Sequence, residues 1–468
     1  MREKIFFYYT SDLHSHFEKW PKLAGYIEEK RQEHEARGED VFVFDNGDHV
    51  DRFHPIAEGL KGKGNVELLN ASKYDVVNIG NNEGITLSEN ELYHLYDEAV
   101  FPVVCANVTP MEKKNPAWLK PYEIKTTSTG VRVGIIGLTA PFRVFYQLLG
   151  WNVEPPETMM EKYMDEVKSK SDIIILLSHL GYHTDRQMAE DYPGLDVIIG
   201  GHTHHLLPEG EMHNGVLLTA AGKHGTHLGE IFLDWDQEQK TLVNKEAYTV
   251  ASEKLTNSEA VEERLDHLES RAHRRLYSNV ADLKEPLEAD WFEDTPLMNE
   301  LTEELRNWTS ADIAMLNAGV LLEGLEEGPV TYADLHRICP HPMNPCKVHL
   351  SGKEIVEVVR SAHTKQITEF KLKGLGFRGE VIGKMVFAGL EIETVTSSDG
   401  DEHVRKVLFD GEPIERNRWY SFATADTFSF GRFFPEINHS TTKTYYLPEM
   451  LRDLLVKVVQ SMVSSSSP

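Results

Sequence analysis

Metal-type ligands gather at five places in the chain. SDLHSH carries Asp12, His14 and His16, and DNGDHVD carries Asp45, Asp48, His49 and Asp51. GNNE carries Asn81, Asn82 and Glu83, SHLGYH carries His179 and His183, and GGHTHH carries His202, His204 and His205. Taken singly, each has an ordinary reading. D-x-H occurs by chance, GD and GN after a strand are turns, and a lone histidine behind an apolar run is a core residue. Taken together and in this order, they point to a metal site. Carboxylate and imidazole bind divalent transition metals, and Mn, Fe, Co or Zn suit a mixed O and N set. One carboxylate can bridge two cations roughly 3.5–4 Å apart, the arrangement that clamps phosphoryl oxygens during displacement at phosphorus.

Each cluster lies at or just beyond the end of a run that reads as a strand. IFFYYT (5–10), VFVFDN (41–46), VVNIG (76–80), PVVCAN (102–107), VRVGIIGLT (131–139), IIILLSH (173–179), DVIIGGH (196–202) and GVLLTAAG (215–222) are short and apolar, most of them β-branched. Helical patterns at 19–37 and 157–170 lie between some of them. This alternation predicts an α/β layered domain over 1–252, with ligands at the carboxyl ends of its strands. Residues 253–277 read as a charged linker helix with a thin apolar stripe, opened by Ser258. The segment 278–461 reads as an α+β domain. It has helices near 295–308 and 352–363, strand-like VTYADLHRI and CKVHLSG, and β-like segments at 385–395, 404–409 and 418–425. The end, 462–468, reads as a disordered tail.

Composition narrows the class. A chain of 468 residues with 40% hydrophobic and 26% charged content suits a soluble protein of two domains. With 48 basic and 75 acidic residues the formal charge is −27, which repels nucleic acid. Anionic small substrates then need metals or arginines that reverse the sign locally. Cys105, Cys339 and Cys346 form no CxxC. The run IFFYY is too short for a signal peptide, and no stretch approaches the roughly 18 apolar residues of a membrane span. The expectation is a cytoplasmic protein with reduced thiols and no membrane partner.

The ordered set DLH, GD, GN, SH and GHTH resembles the calcineurin-like metallophosphoesterases. LNAGVLLEG and PHPMNPCKVHLSGKEI resemble signatures of the bacterial 5′-nucleotidase C-terminal domain, so the likeness covers nearly the whole chain. The resemblance implies a layered β-sandwich flanked by helices, an α+β substrate domain, and two divalent metal ions. By motif, Asp12, His14 and His204 would hold one metal; Asn81, His179 and His202 would hold the other; Asp48 would bridge. His16, Asp45, His183 and His205 are then outer or solvated groups. The implied reaction is hydrolysis of a phosphomonoester or pyrophosphate bond in a small phosphorylated substrate, a nucleotide above all.

The pattern also breaks. The family reads GNHE-x-D where this chain reads GNNEGI, so Asn82 and Ile85 replace a His/Asp dyad. Asn82 can donate a neutral hydrogen bond but cannot pass a proton. The candidate acids in its place are His49 and His183. In the C-terminal half, Asn317 and Gly319 keep the N-x-G motif, but Leu322 stands where the family has an arginine, and ADTFSFGRFF replaces a glycine-rich loop. Phe387 and Phe428 lie near the places of two base-stacking aromatics, with core packing as the alternative. Arg432 and Arg378 are candidates for the lost positive charge. Two other functions stay open: a phosphodiesterase or phosphatase of another metabolite, and a nucleotide-binding protein that keeps its metals with little turnover.

Overall fold

The structure is a computed structural model and describes residues 2–397, 402–431 and 433–465. Two compact units divide between Ala272 and His273, inside the helix Glu259–Leu276.

In the first unit the expected strands are buried on both faces. Every residue of the strand Ile173–His179 is buried. Ile173, Ile175 and Leu177 join one core, while Ile174 and Leu176 join another. Successive side chains in a strand point to opposite faces, so one continuous apolar run serves two layers. Burying each such side chain fully is worth about 1.5–3 kcal/mol, which holds the register. A seven-stranded sheet runs in the order 241–251, 227–236, 2–10, 40–45, 76–78, 103–104, 119–120. A six-stranded sheet runs 211–213, 216–219, 197–200, 173–179, 132–139, 122–126. Phe7, Tyr9 and Phe44 from the first sheet meet Ile135, Ile175 and Ile199 from the second. Met160 and Val167 of the helix Pro156–Lys170, and Met188 of the helix Tyr182–Asp191, cover the second sheet's outer face. This is the expected helix-flanked sandwich.

The second unit holds a five-stranded sheet in the order 385–388, 313–317, 419–425, 345–351, 443–445. The helices Pro296–Thr309, Gly352–Ala362 and Leu451–Ser465 share its core through Leu301, Leu305, Ile355, Val359, Leu455 and Val459.

Some expectations are corrected. VTYADLHRI is not a strand throughout: Gly328–Thr331 is extended, and Tyr332–Ile338 is helical. Thr331 and Asp334 form a capping box that starts the helix, outweighing the β-branched residues before it. The thin apolar stripe of the helix over 259–276 is where it packs: Leu268 and Ala272 are fully buried, and Ala272 lies against Gly59. Residues 462–465 belong to a helix, because the apolar stripe of Leu451, Leu455 and Val459 continues to the partly buried Met462; residues 466–468 lie outside the described ones. The antiparallel strands His227–Asp236 and Thr241–Ala251 carry too many charges to stand out in the sequence. Among the described residues no helix is long and apolar enough to cross a membrane.

Candidate metal centre

The five clusters meet at the carboxyl ends of strands drawn from both sheets. Asp12 and His14 follow the strand ending at Thr10; Asp48 follows the one ending at Asp45; Asn81 follows the one ending at Asn78. His179 is the last residue of its strand, and His202 and His204 follow the strand ending at Gly200. Asp12, His14, Asp48, His202 and His204 all have left-handed backbones, with φ of 53°, 50°, 51°, 68° and 59°. Such conformations are uncommon outside glycine and persist only where the surroundings impose them.

The surroundings do so through backbone and amide contacts. Asp12 N–H donates to Gly47 O at 3.0 Å, and His14 N–H to Asp48 O at 2.8 Å. A Cβ on Gly47 would lie 2.2 Å from Gly80 N, and one on Gly80 would lie 2.1 Å from Asp48 Oδ1. The GD and GN turns can therefore touch only as glycines. Asn46 Nδ2 donates to Ser178 O at 3.0 Å and Ile199 O at 2.9 Å, and Asn78 Nδ2 donates to Asn46 Oδ1 at 3.2 Å and Leu138 O at 3.0 Å. These two buried amides staple the strand ends of one sheet to those of the other.

The side chains converge. Asp12, His14 and His204 place ligand atoms within 4.8 Å of one another, and so do Asp12, Asp48 and His179. His204 Nε2 lies 3.4 Å from Asp12 Oδ1, His14 Nε2 3.7 Å from Asp48 Oδ2, and His179 Nε2 3.2 Å from Asp48 Oδ2. Asp12 and Asp48 thus both stand between imidazoles. His179 Nδ1–H donates to Asn46 O at 2.8 Å, which turns Nε2 towards the carboxylates, where it offers a lone pair once a cation displaces its proton. That Nε2 is buried and not in line for any hydrogen bond, and Asn81 Oδ1 is buried without a partner too. A buried orphan acceptor costs about 1–3 kcal/mol. Acceptors of O and N type aimed at one place fit divalent cations, which would satisfy them.

Charge follows the same geometry. Burial pushes the His179 imidazole down, but Asp48 and Asp12 more than reverse this and lift it to about 10. Burial pushes Asp12 up, yet His179, His204 and His14 hold it well below the usual carboxylate range. Burial, with His179 beside it, pushes His202 down to about 4 and keeps it a neutral nitrogen donor. Protons held by such a set are displaced when cations bind.

The other candidates are placed differently. Asn82 N–H donates to Asp48 Oδ1 at 2.7 Å. Its amide Nδ2 lies 3.3 Å from Val50 O, 3.3 Å from Asp51 Oδ2 and 3.0 Å from His14 Nδ1, so it sits behind His14. His49 is buried with its ring edge-on to Trp20 and its Nδ1 near Asn65, and burial pushes it down to about 3. It faces the core. His183 is exposed on its helix, beside His205. Asp45 is buried on Thr10 Oγ1, and His16 stacks on His224. In the second unit Asn317 Nδ2 donates to Ile382 O at 3.0 Å, and Gly319 is pressed against Val381 O. Phe428 is fully buried against Phe434, a core residue rather than an open stacking face. Phe387 is half-buried and parallel to His363. Arg378 N–H donates to His341 Nδ1. Arg432 lies outside the described residues.

The sequence reading assigned no role to Asp51, Asn46, Asn78 or Glu83. Asp51 lay inside DNGDHVD, and its place three residues after Asp48 was the available signal. Its Oδ2 lies 3.3 Å from His14 Nδ1 and is buried. A carboxylate behind a ligating histidine fixes the ring and raises its basicity. Asp51→Ala is expected to weaken metal binding by about 10- to 100-fold, read by competition with a fluorescent chelator. Unchanged affinity would remove Asp51 from the site.

Comparison with known proteins agrees with this geometry. Residues 7–206 match the calcineurin-like phosphoesterase family, and residues 279–432 match the 5′-nucleotidase C-terminal domain. The uncharacterized metallophosphoesterase YunD of Bacillus subtilis is 45% identical over 456 residues, 97% of this chain and 99% of that protein. A 5′-nucleotidase of Vibrio cholerae is 23% identical over 90% of this chain and 83% of its own length. The structure of the NAD nucleotidase of Haemophilus influenzae has the same fold, with TM-score 0.66 and 16% identity, over 98% of this chain and 97% of that one. The chain belongs to the calcineurin-like metallophosphoesterases of the 5′-nucleotidase family, and is a metal-dependent hydrolase of phosphoric esters.

Proposed function

We propose that the chain hydrolyses a phosphomonoester or pyrophosphate bond of a nucleotide, with Asp12, His14 and His204 around one cation, Asn81, His179 and His202 around another, and Asp48 shared. The observation that carries this is the meeting of two buried carboxylates with His14, His179 and His204, beside the unpartnered His179 Nε2 and the orphan acceptor Asn81 Oδ1. Two divalent cations, when bound, supply Lewis-acid stabilisation of phosphoryl oxygens and a water of lowered pKa. Mn, Fe, Co and Zn fit the donor set.

The chain's own residues orient these groups. Asn46 O turns His179 Nε2 inwards, and Asp51 does the same for His14. Asn82 holds Asp48 Oδ1 through its N–H, and its amide passes no proton. The nucleotide assignment draws on the C-terminal family match and on the 5′-nucleotidase of Vibrio cholerae. Cys105, Cys339 and Cys346 are buried free thiols, which supports a reducing, cytoplasmic setting; nucleotide hydrolysis there would be a step of nucleotide catabolism.

The test is phosphate release by the Mn²⁺-loaded chain across nucleoside mono-, di- and triphosphates, nucleotide sugars and a chromogenic phosphodiester, with chelator-stripped protein as control. Turnover of at least one nucleotide that disappears on stripping is expected. Cleavage of the diester alone would move the assignment to a phosphodiesterase. Metal binding without turnover of any substrate would favour a binding protein.

A further inference from the structure

We propose that the His224 imidazole is a catalytic hydrogen-bond donor: its N–H meets a non-bridging phosphoryl oxygen of the ester beside His14 and His204, and holds it most tightly in the transition state. This rests on the ligand set proposed above.

His224 stands five residues beyond the strand Val216–Thr219, which pairs in parallel with the strand that leads to His202 and His204. It therefore follows a sixth strand end on the same rim. Its backbone is left-handed, with φ of 56°, as at Asp12, His14, Asp48, His202 and His204. Its backbone N–H donates to Asp12 O at 2.8 Å, which fastens this turn to the one that bears Asp12 and His14. The ring is perpendicular to that of His14, with centroids 5.7 Å apart, and its centroid lies 6.5 Å from that of His204. His16 packs along it with centroids 3.7 Å apart and holds its plane.

This ring carries an unused donor on the open side of the centre. The Asp12 and His179 side chains are fully buried, while that of His204 is 30% exposed, so the centre meets solvent past His204. His224 is half-buried there. Its ring nitrogens make no hydrogen bond or ion pair among the described residues, and neither is sealed from water. An imidazole keeps at least one N–H whether neutral or protonated, so the role involves no proton transfer. Other donors nearby are committed elsewhere. The Asn82 amide lies against Val50 O and Asp51, His49 faces the core, and His16 Nδ1 lies 3.3 Å from Glu18 Oε1. In the step, a water oxygen bonds to phosphorus and the ester P–O bond breaks, its electron pair staying on the leaving oxygen. The water gives up a proton to solvent, and the leaving oxygen takes one from solvent. Charge spreads over the three non-bridging oxygens, and a donor fixed beside one of them stabilises that arrangement.

The test uses His224→Phe, which keeps a ring against His16 and removes the N–H, and His224→Gln, which returns a neutral donor. On Mn²⁺-loaded proteins, kcat and KM are measured with the nucleotides above and a chromogenic phosphomonoester. Binding of orthovanadate, a transition-state analogue, is measured by calorimetry, and metal content on the same preparations. His224→Phe is expected to lower kcat by about 10²–10³-fold and to weaken orthovanadate by about 10- to 100-fold, with metal content unchanged. His224→Gln is expected to lie between it and the wild type. A wild-type kcat or wild-type orthovanadate affinity in His224→Phe overturns the donor role and leaves the metal centre standing. Loss of bound metal in His224→Phe makes the ring a support of Asp12 and overturns the donor role as well. A metal-loaded wild type inert towards all of these esters overturns it together with the reaction it serves, and a wild type that binds no metal ions overturns the ligand set and the donor with it.

Discussion

Asp48→Asn is expected to lower phosphate release by at least about 10³-fold, because a metal pair supplies several kcal/mol of transition-state stabilisation and each 1.36 kcal/mol is tenfold in rate. Asp48 Oδ2 lies between His14 Nε2 at 3.7 Å and His179 Nε2 at 3.2 Å, and Oδ1 accepts the Asn82 N–H at 2.7 Å. Asparagine can keep that last bond through its amide oxygen. It loses the negative charge that a shared ligand needs, at nearly unchanged volume. The variant is therefore expected to fold and to bind fewer metal ions. Initial rates and metal content by plasma mass spectrometry, on the same preparation, check both statements. Retention of full metal content and wild-type rate would show that Asp12 alone joins the two groups of ligands.

Glu83→Ala is expected to cost about 3–5 kcal/mol of stability, near the top of the range for single substitutions. The side chain is fully buried and accepts three backbone N–H groups. Oε2 takes those of Asp48 at 3.0 Å and Gly80 at 2.9 Å, and Oε1 takes that of Val50 at 2.8 Å. One carboxylate thus ties the turn bearing Asp48 to the turn bearing Asn81. Alanine would orphan all three donors at about 1–3 kcal/mol each, less whatever water recovers. Activity is expected to fall with stability, because Asp48 loses its register against Asn81. Glu83→Gln keeps one acceptor oxygen and is expected to lie between the two. Urea unfolding followed by tryptophan fluorescence measures the change. A loss below about 1 kcal/mol would mean that water satisfies these groups and that the clamp is dispensable.

These two residues were unequally visible beforehand. Asp48 stands in a GD turn at the end of an apolar run, and its role is chemical type plus position. Glu83 was one acid in a cluster, and nothing in its neighbours shows that it accepts three N–H groups from residues 33 to 35 positions and three positions away. The strand Ile173–His179 was legible because burial on both faces demands an unbroken apolar run. The pair His227–Asp236 and Thr241–Ala251 was not, since its charged positions break that run. Tyr332–Ile338 was misread because a capping box outweighs two β-branched residues. Phe428 and His49 were misplaced for a shared reason. An aromatic or imidazole ring has the same type in a core as in a site, and only packing shows which way it faces.

The sequence by itself determined the ligand types, their order along the chain and the strands that carry them. These are local properties: a carboxylate or imidazole binds metal wherever it stands, and a strand end can be read from its own residues. The tertiary structure decided which atoms meet. It brought Asp12 beside His204, turned His179 Nε2 inwards through Asn46 O, put Asp51 behind His14, and drew the Asn82 amide away to Val50 and Asp51. Each of these depends on contacts between residues far apart in sequence, set by how two sheets pack, and no local pattern encodes that distance.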